Sequence, residues 1–318
     1  VWSVNERLMS ELFSRFSKWP VSKPPFPRLS YQDVMSRFGS DKPDLRNPLE
    51  ISDLSKIFSD SQFKVFQEGL AKGGKVRAIP VPLDNFPSRK YFDDTVDTFL
   101  KTNGIGLAYI GFEGGGTLVV FLSVGSDQQV LPALGKLRVR LGQDFGKINK
   151  EEWRFCWVTD FPFYEKDDHT GELTFGHNPF SMPQGGLESL LNKKPLEILA
   201  SQYDLVLNGN ELASGAIRNH TPEVMYKAFE IVGYSKDTVD EKFGGMIRAF
   251  HFGAPPHGGI AHGVERIVML LAGEEAIREV IAFPLAQNGE DLLMGAPSTV
   301  SEKQLREVHI NLALPEKK

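Results

Sequence analysis

"YDLVLNGNELASGAIRNH", residues 203–220, holds two strand-like runs separated by a turn, yet Asp204, Glu211 and Arg218 lie inside them. A charge in a central strand has to be paired, bound to a metal or turned toward a cavity, because removing an unpaired ion from water is costly. Glu211 and Arg218 are seven residues apart, an odd number, so a straight strand would send them to opposite faces. Ser214-Gly215 between them is where a bulge is expected, flipping the parity and turning both inward. Two carboxylates with an arginine suit a magnesium-bound polyphosphate beside a second anionic group. A structural Glu–Arg pair across a sheet is the alternative reading.

Apolar strands continue on both sides of this stretch, in "WRFCWVTDFPFYE" (153–165) before it, and two helical patterns, "TPEVMYKAFEIVG" and "KDTVDEKFGGMIRAFHF", follow. Strands and helices without βαβ regularity predict an α+β fold with a mixed, mainly antiparallel sheet. Residues 149–318 are assigned to that domain, together with 1–54. In the latter, positions 3–19 read as an amphipathic helix with a Ser3/Glu6 capping box and an apolar side of Leu8, Leu12, Phe16 and Trp19. A proline-rich connector follows, then "FGSDKPDLRNPLE" (38–50), too polar for a core and either a plain surface loop or a loop at a site mouth.

Residues 55–148 change character. "KVRAIPVP" is strand-like but its two prolines place it at an edge. A helix over 88–102, strands "IGLAYIGF" and "TLVVFLSVG" around a glycine turn, and a helix capped by Ser126 and Gln129, with Leu131, Leu134 and Leu141 inward, complete a β-α-β-β-α order. That order predicts an inserted ferredoxin-like domain.

The composition is that of an ordinary globular protein, 41% hydrophobic and 24% charged over 318 residues. A net charge of -5 argues against a coat for nucleic acid, though not against a local basic stripe. The single cysteine, Cys156, excludes an intramolecular disulfide and reads as a buried small hydrophobe, with a reactive thiol as the alternative. No segment reaches the roughly 20 apolar residues of a membrane span. A cytoplasmic protein is expected, and a first residue of Val1 suggests the chain starts part-way through a longer product.

Common short signatures are missing: no Walker A sequence, no GxSxG, no HExxH, no dinucleotide fingerprint, no zinc-like histidine spacing. What remains is "GGIAHGVERIVMLL", 258–271, a glycine-rich turn running into an apolar helix from about Val264. Arg266 in the first turn opposes the helix dipole, which makes sense where a phosphate gathers both the guanidinium and the free N–H groups. A salt bridge to a neighbouring loop is the alternative. His177, in "FGHNPFSMP", precedes an Asn-Pro turn and is either a carboxylate-binding or a solvated loop histidine.

Residues 258–271 resemble motif 3 of the class II aminoacyl-tRNA synthetases. "FGSDKPDLR", "WVTDFPFYE", "HNPFSMP", "YDLVLNGNELASGAIRNH", "GAPPHGGIAHGVERIVMLLAG" and "IREVIAFPLAQ" are similar to the bacterial-type aspartyl-tRNA synthetase family, over nearly the whole chain. The resemblance implies an aspartate–tRNA ligase that uses ATP and Mg2+, forms aspartyl-adenylate and transfers it to tRNA(Asp), as a homodimer when complete. On the matching positions it implies that His177 and Arg218 bind L-aspartate, and that Glu211, Gly263, Val264, Glu265 and Arg266 bind ATP. Asp204 and Glu211 would carry the metal. It likens 55–148 to the domain shared with a subunit of the tRNA-dependent amidotransferase.

Departures exist: "GVER" stands where the family usually has "GLDR" or "GVDR", and the insert is short around its glycine turn. "HNPFSMPQGG" and "ELASGAIRNH" are closer to alphaproteobacterial forms, often non-discriminating, which leaves tRNA(Asn) open as a second acceptor. The anticodon-binding barrel and motifs 1 and 2 are not found, so a C-terminal portion inactive by itself is expected. The rival from another class is a non-catalytic module that holds tRNA or a partner.

Overall fold

In chain order, a computed structural model, describing residues 1–114, 116–167 and 169–313, opens with α1 (Trp2–Phe16), β1 (Arg28–Ser30) and α2 (Tyr31–Phe38). Next come β2 (Ser52–Asp53), α3 (Ser55–Phe58), α4 (Lys64–Ala71), β3 (Lys75–Leu83), α5 (Arg89–Asn103), β4 (Ala108–Glu113), β5 (Thr117–Gly125) and α6 (Asp127–Asp144). There follow β6 (Phe155–Thr159), β7 (Tyr164–Lys166), β8 (Leu173–Phe175), α7 (Gly186–Asn192), β9 (Gln202–Leu207) and β10 (Asn210–Ile217). The last elements are α8 (Pro222–Ile231), α9 (Lys236–His251), β11 (Gly258–His262), α10 (Val264–Ala272) and α11 (Glu302–Glu307). Gly115, inside the expected glycine turn, lies outside the described residues. The chain divides into two units, Val1–His262 and Gly263–Lys318.

The first unit contains a five-stranded sheet of order β1-β6-β9-β10-β11. Only β1 and β6 run parallel; the other neighbours are antiparallel, so the sheet is mixed and mainly antiparallel as the α+β reading expects. All six residues of β9 are buried, which suits the middle of a sheet covered on both faces. Cys156 in β6 is fully buried, and burial pushes its thiol up to about 12, well away from a thiolate at neutral pH.

Residues 75–144 fold in the β-α-β-β-α order, and the second sheet runs β2-β3-β5-β4. β5 lies between β3 and β4 and is antiparallel to both, the split βαβ arrangement. β2 pairs only with Arg77 and Ala78, so beyond Ala78 β3 is an edge, and Pro80 and Pro82 sit there. α3 and α4, which periodicity did not announce, cover one face through Phe58 and Phe66. Leu131, Leu134 and Leu141 of α6 pack with Ile79, Val119 and Phe121 on the other.

Three local expectations are corrected. The helix at the N-terminus begins at Trp2 with Val1 as its cap, so no Ser3/Glu6 box forms. Its buried side is Asn5, Glu6, Met9 and Phe13, whereas Leu8 and Phe16 are exposed at 47% and 61%. Both stripes share the helical period; the winning one places Phe13 edge-on to Trp153 and Phe155 and lets the Glu6 carboxylate accept from Trp157 Nε1 and Phe26 N–H. Ser126 caps α6 without a side-chain hydrogen bond, Gln129 and Val130 N–H donating to its carbonyl instead.

In the second unit α10 begins at Val264, as expected, and ends on Gly273 in the left-handed conformation (φ 74). A capping box of Ser301 and Gln304 starts α11.

Candidate functional site

β9 and β10 pair Glu211 with Val206 and then Ala213 with Leu205, so Leu212 is an extra residue in β10. This bulge puts Glu211 on the same face as Ser214, whose partner across the ladder is Asp204. A bulge was expected at Ser214-Gly215, and that position is wrong. Ser214 and Gly215 pair regularly with Asp204 and Tyr203. Gly215 instead permits close approach, since a Cβ there would run into the Gly259 carbonyl and the Tyr203 ring. The side chain of Leu212 is buried at 1% exposure, so core packing holds the bulge in place.

The face so created opens into a cavity of about 280 Å³. β9 contributes Gln202 and Asp204, β10 contributes Glu211 and Ser214, and Arg218 follows one residue past the strand end. Arg218 N–H donates to the His257 carbonyl at 2.8 Å, which anchors its backbone. His177 enters from the loop between β8 and α7, its ring edge-on to Phe161 at 5.0 Å and beside Tyr31 at 6.5 Å. The turn after it is fixed by Phe180 N–H donating to Asn178 Oδ1 at 2.8 Å.

Asp204 is 4% exposed, and its Oδ1 has no hydrogen-bond partner. Burial raises its pKa to about 6; Ser214 opposes the rise through a hydrogen bond, while the Glu211 charge adds to it. Lys42 Nζ lies 3.4 Å from Glu211 Oε2 and 2.6 Å from Asp41 Oδ2. Burial depresses the Lys42 pKa and the two carboxylates more than offset it, leaving a net rise.

An orphaned carboxyl oxygen on Asp204, on the face shared with Glu211, fits a hard cation. Among the described residues no group of three or more His, Cys, Asp or Glu side chains gathers at metal-binding distance. Magnesium commonly takes only one or two protein carboxylates and fills its shell with water and phosphate oxygens, so two suffice.

Four residues assigned from the sequence, His177, Asp204, Glu211 and Arg218, thus line one cavity. Gly263, Val264, Glu265 and Arg266 belong to the second unit, where Gly263 caps α10, Val264 and Glu265 are exposed and Arg266 is half-buried in the first turn. Asp41 and Lys42 line the cavity too, which favours the site-mouth reading of "FGSDKPDLRNPLE". Gln202 was missed, and a neutral amide at a strand start leaves no signal in sequence.

The family model described as tRNA synthetases class II (D, K and N) matches residues 1–287. An aspartate–tRNA(Asp/Asn) ligase of Rickettsia bellii is 49% identical over 343 residues, covering 98% of this chain and 57% of its own length. A ligase of the same name from Zymomonas mobilis is 49% identical, covering 99% of this chain and 57% of its own. An aspartate–tRNA ligase of Streptomyces avermitilis is 48% identical, with 98% and 57% covered. The chain therefore spans little more than half the length of these curated relatives. With a match over most of its residues, and with strands and cavity in place, the chain belongs to the class II tRNA synthetases of the D, K and N group.

Proposed function

We propose that this chain is part of an aspartate–tRNA ligase and carries its aspartate- and metal-binding residues. Residues 1–54 and 149–318 are read as catalytic-domain segments and 55–148 as an inserted domain. The observation that carries the reading is the buried, unpartnered oxygen of Asp204, a residue that lines one cavity with Glu211 and Arg218. An amino acid with a side-chain carboxylate needs a fixed cation, and the planar fork of Arg218 suits a bidentate contact. His177 adds a hydrogen bond to the substrate from the loop side. Gly263, Val264, Glu265 and Arg266 are assigned to ATP, with the guanidinium on a phosphate.

In this reading the α-carboxylate of aspartate attacks the α-phosphorus of ATP, and the bond to pyrophosphate breaks. The terminal hydroxyl of tRNA then attacks the acyl carbon and AMP leaves. Glu211 and Asp204 would hold a divalent cation, which would supply charge neutralisation for the polyphosphate. The protein's part is to orient the two reactants and to meet developing charge with fixed groups. The Asp/Asn names of two relatives support tRNA(Asn) as a second acceptor beside tRNA(Asp). A homodimer and a cytoplasmic location complete the proposal; among the described residues no helix is long and apolar enough to cross a membrane.

ATP–pyrophosphate exchange in the intact protein tests this. L-Aspartate should support exchange and L-asparagine should not, and Glu211→Gln should raise the magnesium requirement. Exchange indifferent to aspartate would sink the reading.

A further inference from the structure

The stretch from Gly39 to Leu49 is fastened to α6 along one face of that helix. Leu131, Gly135, Arg138 and Gly142, spaced four, three and four apart, form the face. Gly39 caps α2 in the left-handed conformation, and a Cβ on it would strike the Leu131 carbonyl and Gly135; a Cβ on Gly142 would strike the Asn47 side chain. Arg138, at 1% exposure, donates from Nη2 to the Asp44 and Asn47 carbonyls at 2.9 and 2.7 Å, and from Nε to the Leu49 carbonyl. Asn47 Nδ2 returns a bond to the Arg138 carbonyl at 2.9 Å. The clamped stretch is the one that brings Lys42 to Glu211.

An ammonium and a divalent cation held against one carboxylate repel each other, so each weakens the other's hold on it. We propose that Lys42 is a positioning residue of the site, a resident counter-ion that competes with the divalent cation for Glu211, and that Arg138 holds it there. The inserted helix α6 would then act on the chemistry through this loop. This rests on the reading of Glu211 as a metal carboxylate given above.

The test is titration of the protein with Mn2+ alone, following the free ion by electron paramagnetic resonance. Lys42→Met should tighten Mn2+ binding about three- to tenfold, and Lys42→Arg should leave it near the unmodified protein. A gain in affinity is a result that mere loss of structure does not produce. Arg138→Lys and Asn47→Ser, which loosen the loop from its two sides, should each give about a twofold gain that vanishes when Lys42→Met is already present. Glu211→Gln provides the control. If it weakens Mn2+ binding while Lys42→Met leaves affinity unchanged or lowers it, the counter-ion role is overturned and the metal reading stands. If Glu211→Gln is without effect, the metal reading itself fails. Loop variants whose effects add in full to Lys42→Met overturn the link to Arg138.

Discussion

Arg77 on β3 and Asp204 on β9 are both nearly buried, at 7% and 4% exposure, and they sit in sheets that treat charge differently. In the four-stranded sheet Arg77 meets Asp127 through two bonds of 2.8 Å, and Asp53 lies 3.4 Å away. Arg138, beneath the same sheet, has three carbonyls, and although burial draws its pKa down to about 10 it stays cationic at neutral pH. In the five-stranded sheet Asp204 keeps one oxygen without a partner. The first arrangement is architecture, the buried guanidinium groups held by carboxylates and carbonyls of the fold. The second leaves a buried polar group unanswered at a cost to stability, as the proposed ligand site requires.

The largest expected effect is on the side of the unanswered charge. Arg218→Ala should lower kcat/KM for aspartate by about 30-fold to several thousand-fold, roughly 2–5 kcal/mol, with little change in the KM for ATP. Arg218→Lys keeps the charge without the fork and should give a smaller defect. Pyrophosphate exchange measured separately against each substrate checks this; equal damage to both would remove Arg218 from aspartate selection.

Arg138→Met breaks the comparison from the other side. It strips the donor from two buried carbonyls and a part-buried one and should cost roughly 3 kcal/mol of stability, read as a lower urea midpoint. An unchanged midpoint would mean that the clamp is not structural support.

Asp204→Asn should move stability the opposite way. The folded-state pKa of about 6 lies above the ordinary 3.8, so the folded protein holds this proton where the unfolded chain has released it. Its contribution to stability is complete below pH 3.8 and is lost as pH rises through about 6. The neutral amide escapes that loss, so the variant should be more stable at pH 8 by up to about 3 kcal/mol, with a flatter profile between about pH 4 and about pH 7. Cation binding should weaken at the same time. Urea unfolding at several pH values decides the matter, and a variant that is destabilised throughout would make Asp204 structural.

The smallest effect calibrates the scale. Ser88 caps α5 by accepting from Tyr91 N–H, and Ser88→Ala should cost about 1 kcal/mol, with no change in aspartate kinetics. A kinetic effect there would mean that α5, and not only the α6 clamp, acts on the site.

Sequence alone carried the local layout far. The apolar strands within 153–165 and 202–217, the β-α-β-β-α order of 75–144 and the start of α10 at Val264 follow from apolar runs, helical period, turn residues and proline placement. The charges of Asp204, Glu211 and Arg218 within apolar strands also called for pairing, a metal or a cavity, because such groups are too costly to bury idly, and the fold places all three at a cavity. Tertiary structure decided the rest. In α1 two stripes share one helical period, and only the aromatic rings of Trp153 and Phe155 determine that Met9 and Phe13 turn inward. The parity change between Glu211 and Arg218 was legible as a need, but its place was not. Burial of Leu212 sets the bulge, and close contact with Tyr203 and Gly259 claims Gly215 for another task. Lys42 reaches Glu211 from 169 residues away along the chain, on a loop that Arg138 of α6 grips. Spacing within a segment is a property of the backbone and can be read off a sequence; partners brought from distant segments depend on packing, which local periodicity does not encode.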